Sequence, residues 1–346
     1  MSQGTPLTLV IAGMHRSGTS LTASLLQSAG VDIGEKLAPA TPTNVKGHFE
    51  DLAFVEFHKQ VLSSQGLNNA GWTSYSQVSV PEQYVASARR MINQRADKSL
   101  WGWKDPRTVL FLNFWHRVLA NPFFIFVYRS PWETIDSLYR RNIESVDDVF
   151  YGNPNLALKT WESYNRAILE FFQKYSRESL LISIETIIQN PNQLIQLITE
   201  KTEAELDAPP TNLLDSSLLK TEVLSSHRPT LLKEYFPEAI DLYQQLNDAS
   251  ISSNRSEKVN EECYLTNYQN WVLQDWLDLR RLEFCLKQTQ NYFKQEQQSL
   301  LQLQQENETL KQKLSEMESS KIWKLHQFWV KCKKLFSQLF KRSKNE

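Results

Sequence analysis

Gly13, His15, Arg16, Ser17, Gly18, Thr19 and Ser20 crowd into eight positions directly after an apolar run, residues 9–12. Two glycines let backbone N–H groups approach an anion closely. Three hydroxyls can donate to it, and Arg16 adds a charged fork. That donor set is phosphate-binding chemistry. The loop differs from G-x-x-x-x-G-K-[ST] of the nucleoside-triphosphate binders. Thr19 stands where that motif has Lys, and the cation lies ahead of the second glycine, at Arg16. The elements that must position these groups are a buried strand before the turn and a helix after it. Leu21, Leu25 and Leu26 give that helix one apolar face.

A second constellation follows another apolar run, residues 123–128 (FFIFVY), which reads as a buried strand. Arg129 stands at its carboxyl end. Ser130 can cap a helix, Pro131 suits its first turn, and Ser137 falls about two turns in. R-S-G-T-S at residues 16–20 resembles the 5′-phosphosulfate loop, [KR]-S-G-T-[ST], of the sulfotransferases that use 3′-phosphoadenosine 5′-phosphosulfate (PAPS). The family's 3′-phosphate site has an Arg after a strand, a Pro two residues on and a Ser eight residues after the Arg. Arg129, Pro131 and Ser137 match it. The resemblance runs over about residues 7–225, and these two segments are its specific parts. It implies PAPS as donor, the bisphosphate PAP as product, and no metal. Gly13, His15, Arg16, Ser17, Gly18, Thr19 and Ser20 would hold the 5′-phosphosulfate, and Arg129 and Ser137 the 3′-phosphate.

Sulfuryl transfer also needs a base for the acceptor's proton and cations for the charge on the leaving phosphate. Two segments between the motifs offer them. Residues 38–51 form a Pro/Thr/Gly-rich loop ending Gly47-His48-Phe49-Glu50-Asp51, a string similar to one that recurs in bacterial members. Glu50 is the first choice for the base, with Asp51 and His48 in reserve. The alternative is that Glu50 and Asp51 merely cap the next helix. Lys104-Asp105-Pro106-Arg107, which also resembles a recurrent bacterial string, stands at the end of a short strand over residues 100–103. There Lys104 would screen the transferring group and Asp105 would orient Lys104 or Arg16. An internal salt bridge closing the turn would explain the same residues.

A chain of 346 residues holds one large α/β domain plus appendages. Alternating strands and helices predict a three-layer α/β/α P-loop-type parallel sheet over residues 5–260, with a C-terminal helical and coiled-coil extension. Residues 214–220 (LDSSLLK) only loosely follow a late family segment. Net charge is −1, which argues against nucleic acid as a partner. Three dispersed cysteines make no disulfide framework, and no signal peptide or membrane span is legible, so a cytoplasmic setting is expected. Residues 261–320 form the extension. Over 282–317 a 4-3 repeat, with Asn307 on its seam, predicts a coiled coil and a homodimer. Residues 321–346 carry eight Lys/Arg and one acid, a surplus of seven that leaves −8 on residues 1–320. Ile322, Leu325, Trp329, Cys332, Phe336 and Leu339 recur there at helical spacing. Such a basic amphipathic helix suits peripheral contact with the inner face of the cytoplasmic membrane. A packing helix in a bundle is the alternative. The acceptor is expected to bear a hydroxyl or amine, on a saccharide or lipid-linked saccharide. A P-loop small-molecule kinase and a non-catalytic sulfotransferase-fold scaffold remain alternatives.

Overall fold

Four short apolar runs become the strands of one parallel sheet: β1 (Leu7–Ala12), β2 (Leu100–Lys104), β3 (Pro122–Tyr128) and β4 (Ser179–Ser183). The computed structural model describes residues 5–39, 47–143, 149–150, 152–209, 228–250 and 269–342. Strand order is β2-β1-β3-β4, with Ile11 opposite Lys104 and Ile125, and Tyr128 opposite Ser183. The chain goes from β1 outward to β2, then returns to β1's other side for β3. The carboxyl ends of β1, β2 and β3 therefore flank a topological switch point, where α/β folds bind ligands.

Both faces of the sheet are covered, which explains why its strands read as unbroken apolar runs. Leu9, Ile11, Ile125, Val127 and Ile182 face one side, under α1 (Thr19–Ser28), α7 (Ile184–Gln189) and α8 (Pro191–Thr202). Val10, Trp103, Phe124, Phe126 and Leu181 face the other, an aromatic core. Over it lie α2 (Leu52–Ser64), α3 (Glu82–Asn93), a 3-10 turn (Pro106–Phe111), α4 (Leu112–Val118), α5 (Pro131–Ile143) and α6 (Asn155–Lys174). α9 (Arg228–Tyr235), α10 (Pro237–Ala249) and the start of α11 (Gln269–Ser319) complete that layer. The expected three-layer α/β/α architecture is what forms. The late segment at residues 214–220 lies outside the described residues.

Contacts divide the chain into two units, Met1–Arg281 and Leu282–Glu346. The first includes the opening turns of α11, where Val272, Leu273, Trp276 and Leu277 are buried in the aromatic core. In the second, the rest of α11 leaves the seam leucines Leu286, Leu300, Leu310 and Leu314 exposed. α12 (Lys321–Arg342) likewise exposes Ile322, Leu325, Phe328 and Trp329. The side chains of Phe336 and Leu339 lie outside the described residues. No helix of the described residues is long and apolar enough to cross a membrane.

Candidate active site

The loop after β1 is built to leave donors free. Gly13 packs so tightly under β3 that a Cβ there would strike the Val127 carbonyl oxygen. Gly18 takes φ 96°, a left-handed backbone that L side chains avoid. Arg16 also sits left-handed, at φ 68°. Helix α2 is capped by Asp51, α7 by Ser183 and α8 by Asn190, whereas α1 has no side-chain cap and no acid in its first turn. Its first N–H groups and its positive dipole end are therefore left without a side-chain acceptor of their own. Within the loop, Ser17 Oγ and His15 Nε2 are buried with no hydrogen-bond partner.

The second wall is α5, and one hydrogen bond joins it to the loop: Arg16 Nε donates to Ser137 Oγ at 2.9 Å. The two anion motifs, 121 residues apart in sequence, thus converge. Burial, and then the charges of Arg141, Arg129 and Arg140, bring the Arg16 pKa down to about 10. Arg129 Nη2 donates to Glu133 at 3.0 Å, while its Nε is buried without a partner. Ser130, read as a helix cap, instead donates to Glu133 Oε2 at 2.5 Å. Trp132 Nε1 and Thr134 Oγ1, in the first turn of α5, are also buried and unpartnered. Buried polar groups without partners are rare in native proteins. Of the eight such side-chain atoms among the described residues, these five belong to the two motif segments and can donate, while Arg95 Nη1, Asn165 Oδ1 and Glu185 Oε2 lie outside them; the five fit an anion carrying phosphates at two ends.

In the segments between the motifs, Lys104 Nζ donates to Glu50 at 2.7 Å. Lys104 is only 1% exposed, and burial pushes its ammonium pKa down against the opposing pull of Glu50. Glu50 therefore caps nothing. Asp51 does: it accepts from the Ala53 N–H at 2.9 Å and pairs with Arg95. His48 does belong to this region, since Glu50, Lys104, Arg141 and Arg16 all act on its charge. Ser20 Oγ is bound to the His48 carbonyl oxygen at 3.2 Å.

Asp105 orients neither Lys104 nor Arg16. It accepts from Arg107 Nη1 at 2.8 Å and from His58 Nδ1 at 2.8 Å. Trp115 Nε1 donates to His58 Nε2, which fixes the proton of His58 on Nδ1. Burial alone would raise the Asp105 pKa, but Arg107 and His58 hold the carboxyl well below the usual range. This network closes the turn after β2. His15 stands beside it, its ring 4.5 Å from Trp72, and burial followed by Arg107 keeps it neutral.

Sequence reasoning missed Glu133 as the partner of Arg129, and it missed Arg141. Both stand four residues from a motif member, Arg129 and Ser137, the helical spacing that would have found them. Among the described residues no cluster of His, Cys, Asp and Glu could hold a metal ion.

No curated protein sequence matches the chain. Distant structural similarity is found to the sulfotransferase domain of the curacin biosynthetic pathway: 16% identity, 64% of this chain and 79% of that one, TM-score 0.36. The sulfotransferase domain of the Synechococcus PCC 7002 olefin synthase gives 16% identity, 72% and 96% coverage, and TM-score 0.38. A sulfotransferase from Mycobacterium tuberculosis H37Rv gives 12%, 67% and 77%, and TM-score 0.38. The assignment does not rest on these. The sulfotransferase family model matches residues 7–208, more than half of the chain and both anion motifs, and the chain therefore belongs to the sulfotransferase family.

Proposed function

We propose that the protein transfers a sulfuryl group from PAPS to a hydroxyl or amine acceptor. The observation that carries this is the Arg16–Ser137 hydrogen bond, which brings a 5′-phosphosulfate loop and a 3′-phosphate motif to one crevice. PAPS, when bound, supplies a sulfuryl group already activated on a phosphate leaving group. Arg16, the loop amides and Ser17, Thr19 and Ser20 hold that phosphate and neutralise the charge it gains. Ser137 accepts from Arg16 and keeps its own O–H for the 3′-phosphate, beside Arg129. Glu50 takes the acceptor's proton, and Lys104 fixes Glu50 and adds positive charge nearby.

The test is a calorimetric titration of the purified chain with PAP, 5′-AMP, ATP and GTP. PAP should bind far better than AMP. A charge-assisted hydrogen bond contributes roughly 1.5–3 kcal/mol, so Arg129→Ala should weaken PAP at least about tenfold and leave AMP nearly unchanged. Equal affinity for PAP and AMP would remove the 3′-phosphate site. Preference for ATP or GTP would favour a kinase, and no binding a scaffold.

The acceptor class, a saccharide or lipid-linked saccharide, is supported by the C-terminal extension and by family analogy. In this reading the catalytic unit works in the cytosol, α11 pairs two chains along residues 282–317, and α12 rests on an anionic membrane surface. Exposed Ile322, Leu325, Phe328 and Trp329 supply the apolar contact, with Lys324, Lys331, Lys333 and Lys334 around them. Each lysine adds about 1 kcal/mol near such a surface. Deleting residues 321–346 should abolish sedimentation with anionic vesicles and leave PAP affinity unchanged. Equal sedimentation of the full and shortened chains would show α12 to be a packing helix.

A further inference from the structure

Several cations approach the crevice, and most are already committed. Lys104 is spent on Glu50, and Arg107 on Asp105 and the Asn69 carbonyl oxygen. Arg140 is tied to Asp136 at 2.9 Å, and Arg129 to Glu133. Arg141 differs. It is half-buried, and no ion pair between described residues includes it. It lies four residues after Ser137 in α5, hence on the same helix face, about 6 Å further along the axis. Ser137 is the residue that Arg16 touches, so this face of α5 looks onto the loop after β1.

We propose that Arg141 contacts the sulfuryl oxygens of the donor and is a further catalytic residue of the transfer. The proposal rests on the PAPS reading above. Arg141 is a charged neighbour of His15, Arg16 and His48 alike, which places it at the loop and acceptor end of the crevice. Arg129, just ahead of α5, is also a charged neighbour of Arg16, but its own carboxylate company is Glu133, at 3.0 Å, and Glu185. Helix α5 would thus present Arg129 and Ser137 to the 3′-phosphate and Arg141 to the group in flight. In that step the bond from sulfur to the bridging oxygen breaks, and its electron pair stays on the leaving phosphate. The acceptor oxygen forms the new bond to sulfur, and its proton goes to Glu50. Negative charge remains on the three sulfuryl oxygens throughout, and the Arg141 guanidinium would meet it with donors held in a planar fork.

The test separates sulfuryl from phosphate by comparing PAPS with PAP, without acceptor, in calorimetry on the full chain. Arg141→Ala should weaken PAPS about tenfold and PAP no more than twofold. Arg141→Lys, which keeps the charge and the helix, should recover part of the PAPS loss. Arg129→Ala should weaken both ligands together. Equal loss of PAP and PAPS in Arg141→Ala, or no loss of either, would overturn the assignment. If the unaltered chain bound PAP but showed no gain or loss for PAPS in any Arg141 variant, Arg141 alone would fall. If it bound neither ligand, the donor site itself would fall, and Arg141 with it.

Discussion

Arg16→Ala should lower kcat by about three orders of magnitude while the melting temperature stays near that of the unaltered chain. The two halves of this expectation have one cause. The Arg16 guanidinium is buried, its only hydrogen bond described is to a neutral serine, and its charged neighbours are Arg141, Arg129 and Arg140. Burial and those cations lower its pKa to about 10, which means that the ligand-free fold disfavours the charge it carries. Removing such a cation relieves the fold. In the proposed transfer it also removes the group placed where leaving-phosphate charge develops, and one preorganised donor at such a position is worth roughly 10²–10³ in kcat. The alanine keeps the left-handed backbone at φ 68°, so the loop's strain is unchanged and cannot account for the loss. Steady-state kinetics with PAPS, beside thermal melts, check both halves. Retention of more than a tenth of the activity would mean that the loop amides suffice without Arg16.

Much of the site was legible because its determinants are local. An apolar run followed by a glycine-bracketed turn can be read within a dozen residues, and so can Arg129, Pro131 and Ser137 after the run of β3. Those segments also carry the strand–loop–helix logic of the whole sheet. What was not legible depends on pairing across the fold. Glu50 and Asp51 are neighbours with opposite fates, because Asp51 meets Arg95, 44 residues away, while Glu50 meets Lys104 across 54. Asp105 turns to His58 and Arg107 rather than to Lys104, and nothing local to Lys104-Asp105-Pro106-Arg107 announces that a histidine of α2 will be capped from behind by Trp115. The short helices α7 and α9 are too brief for a clear apolar period. The opening of α11 looks like the rest of a long polar helix, yet Trp276 and Leu277 are core residues of the first unit.

The largest stability effect should come from Asp136, a residue that touches no substrate in the proposed mechanism. Its carboxylate is fully buried and draws in Arg140 Nε at 2.9 Å, Arg228 Nη1 at 2.9 Å, Arg280 Nη2 at 2.7 Å and Trp276 Nε1 at 3.0 Å. Three helices, α5, α9 and α11, are thereby fastened to one pair of oxygens. Asparagine keeps the shape but loses the charge, and offers an NH₂ where a second acceptor is needed. Removing one partner from a buried charge cluster costs about 3–5 kcal/mol, because the remaining charges stay desolvated. For a unit of this size that is a fall in melting temperature of roughly 10 °C. Hydrogen exchange should locate the loss in α9 and in the first turns of α11, around Val272, Leu273 and Trp276, before it reaches the sheet. Arg280→Ala, which removes one of the four donor residues with its two contacts (Nε at 2.8 Å, Nη2 at 2.7 Å) and leaves the carboxylate still satisfied by the other three, should cost much less. Asp136 directly precedes Ser137 in α5, so Asp136→Asn should also weaken PAP, whereas Arg280→Ala should not. A melt within 1 °C of the unaltered chain for Asp136→Asn would show that the three arginines find water instead, and that the cluster does not fasten the opening turns of α11 within the first unit.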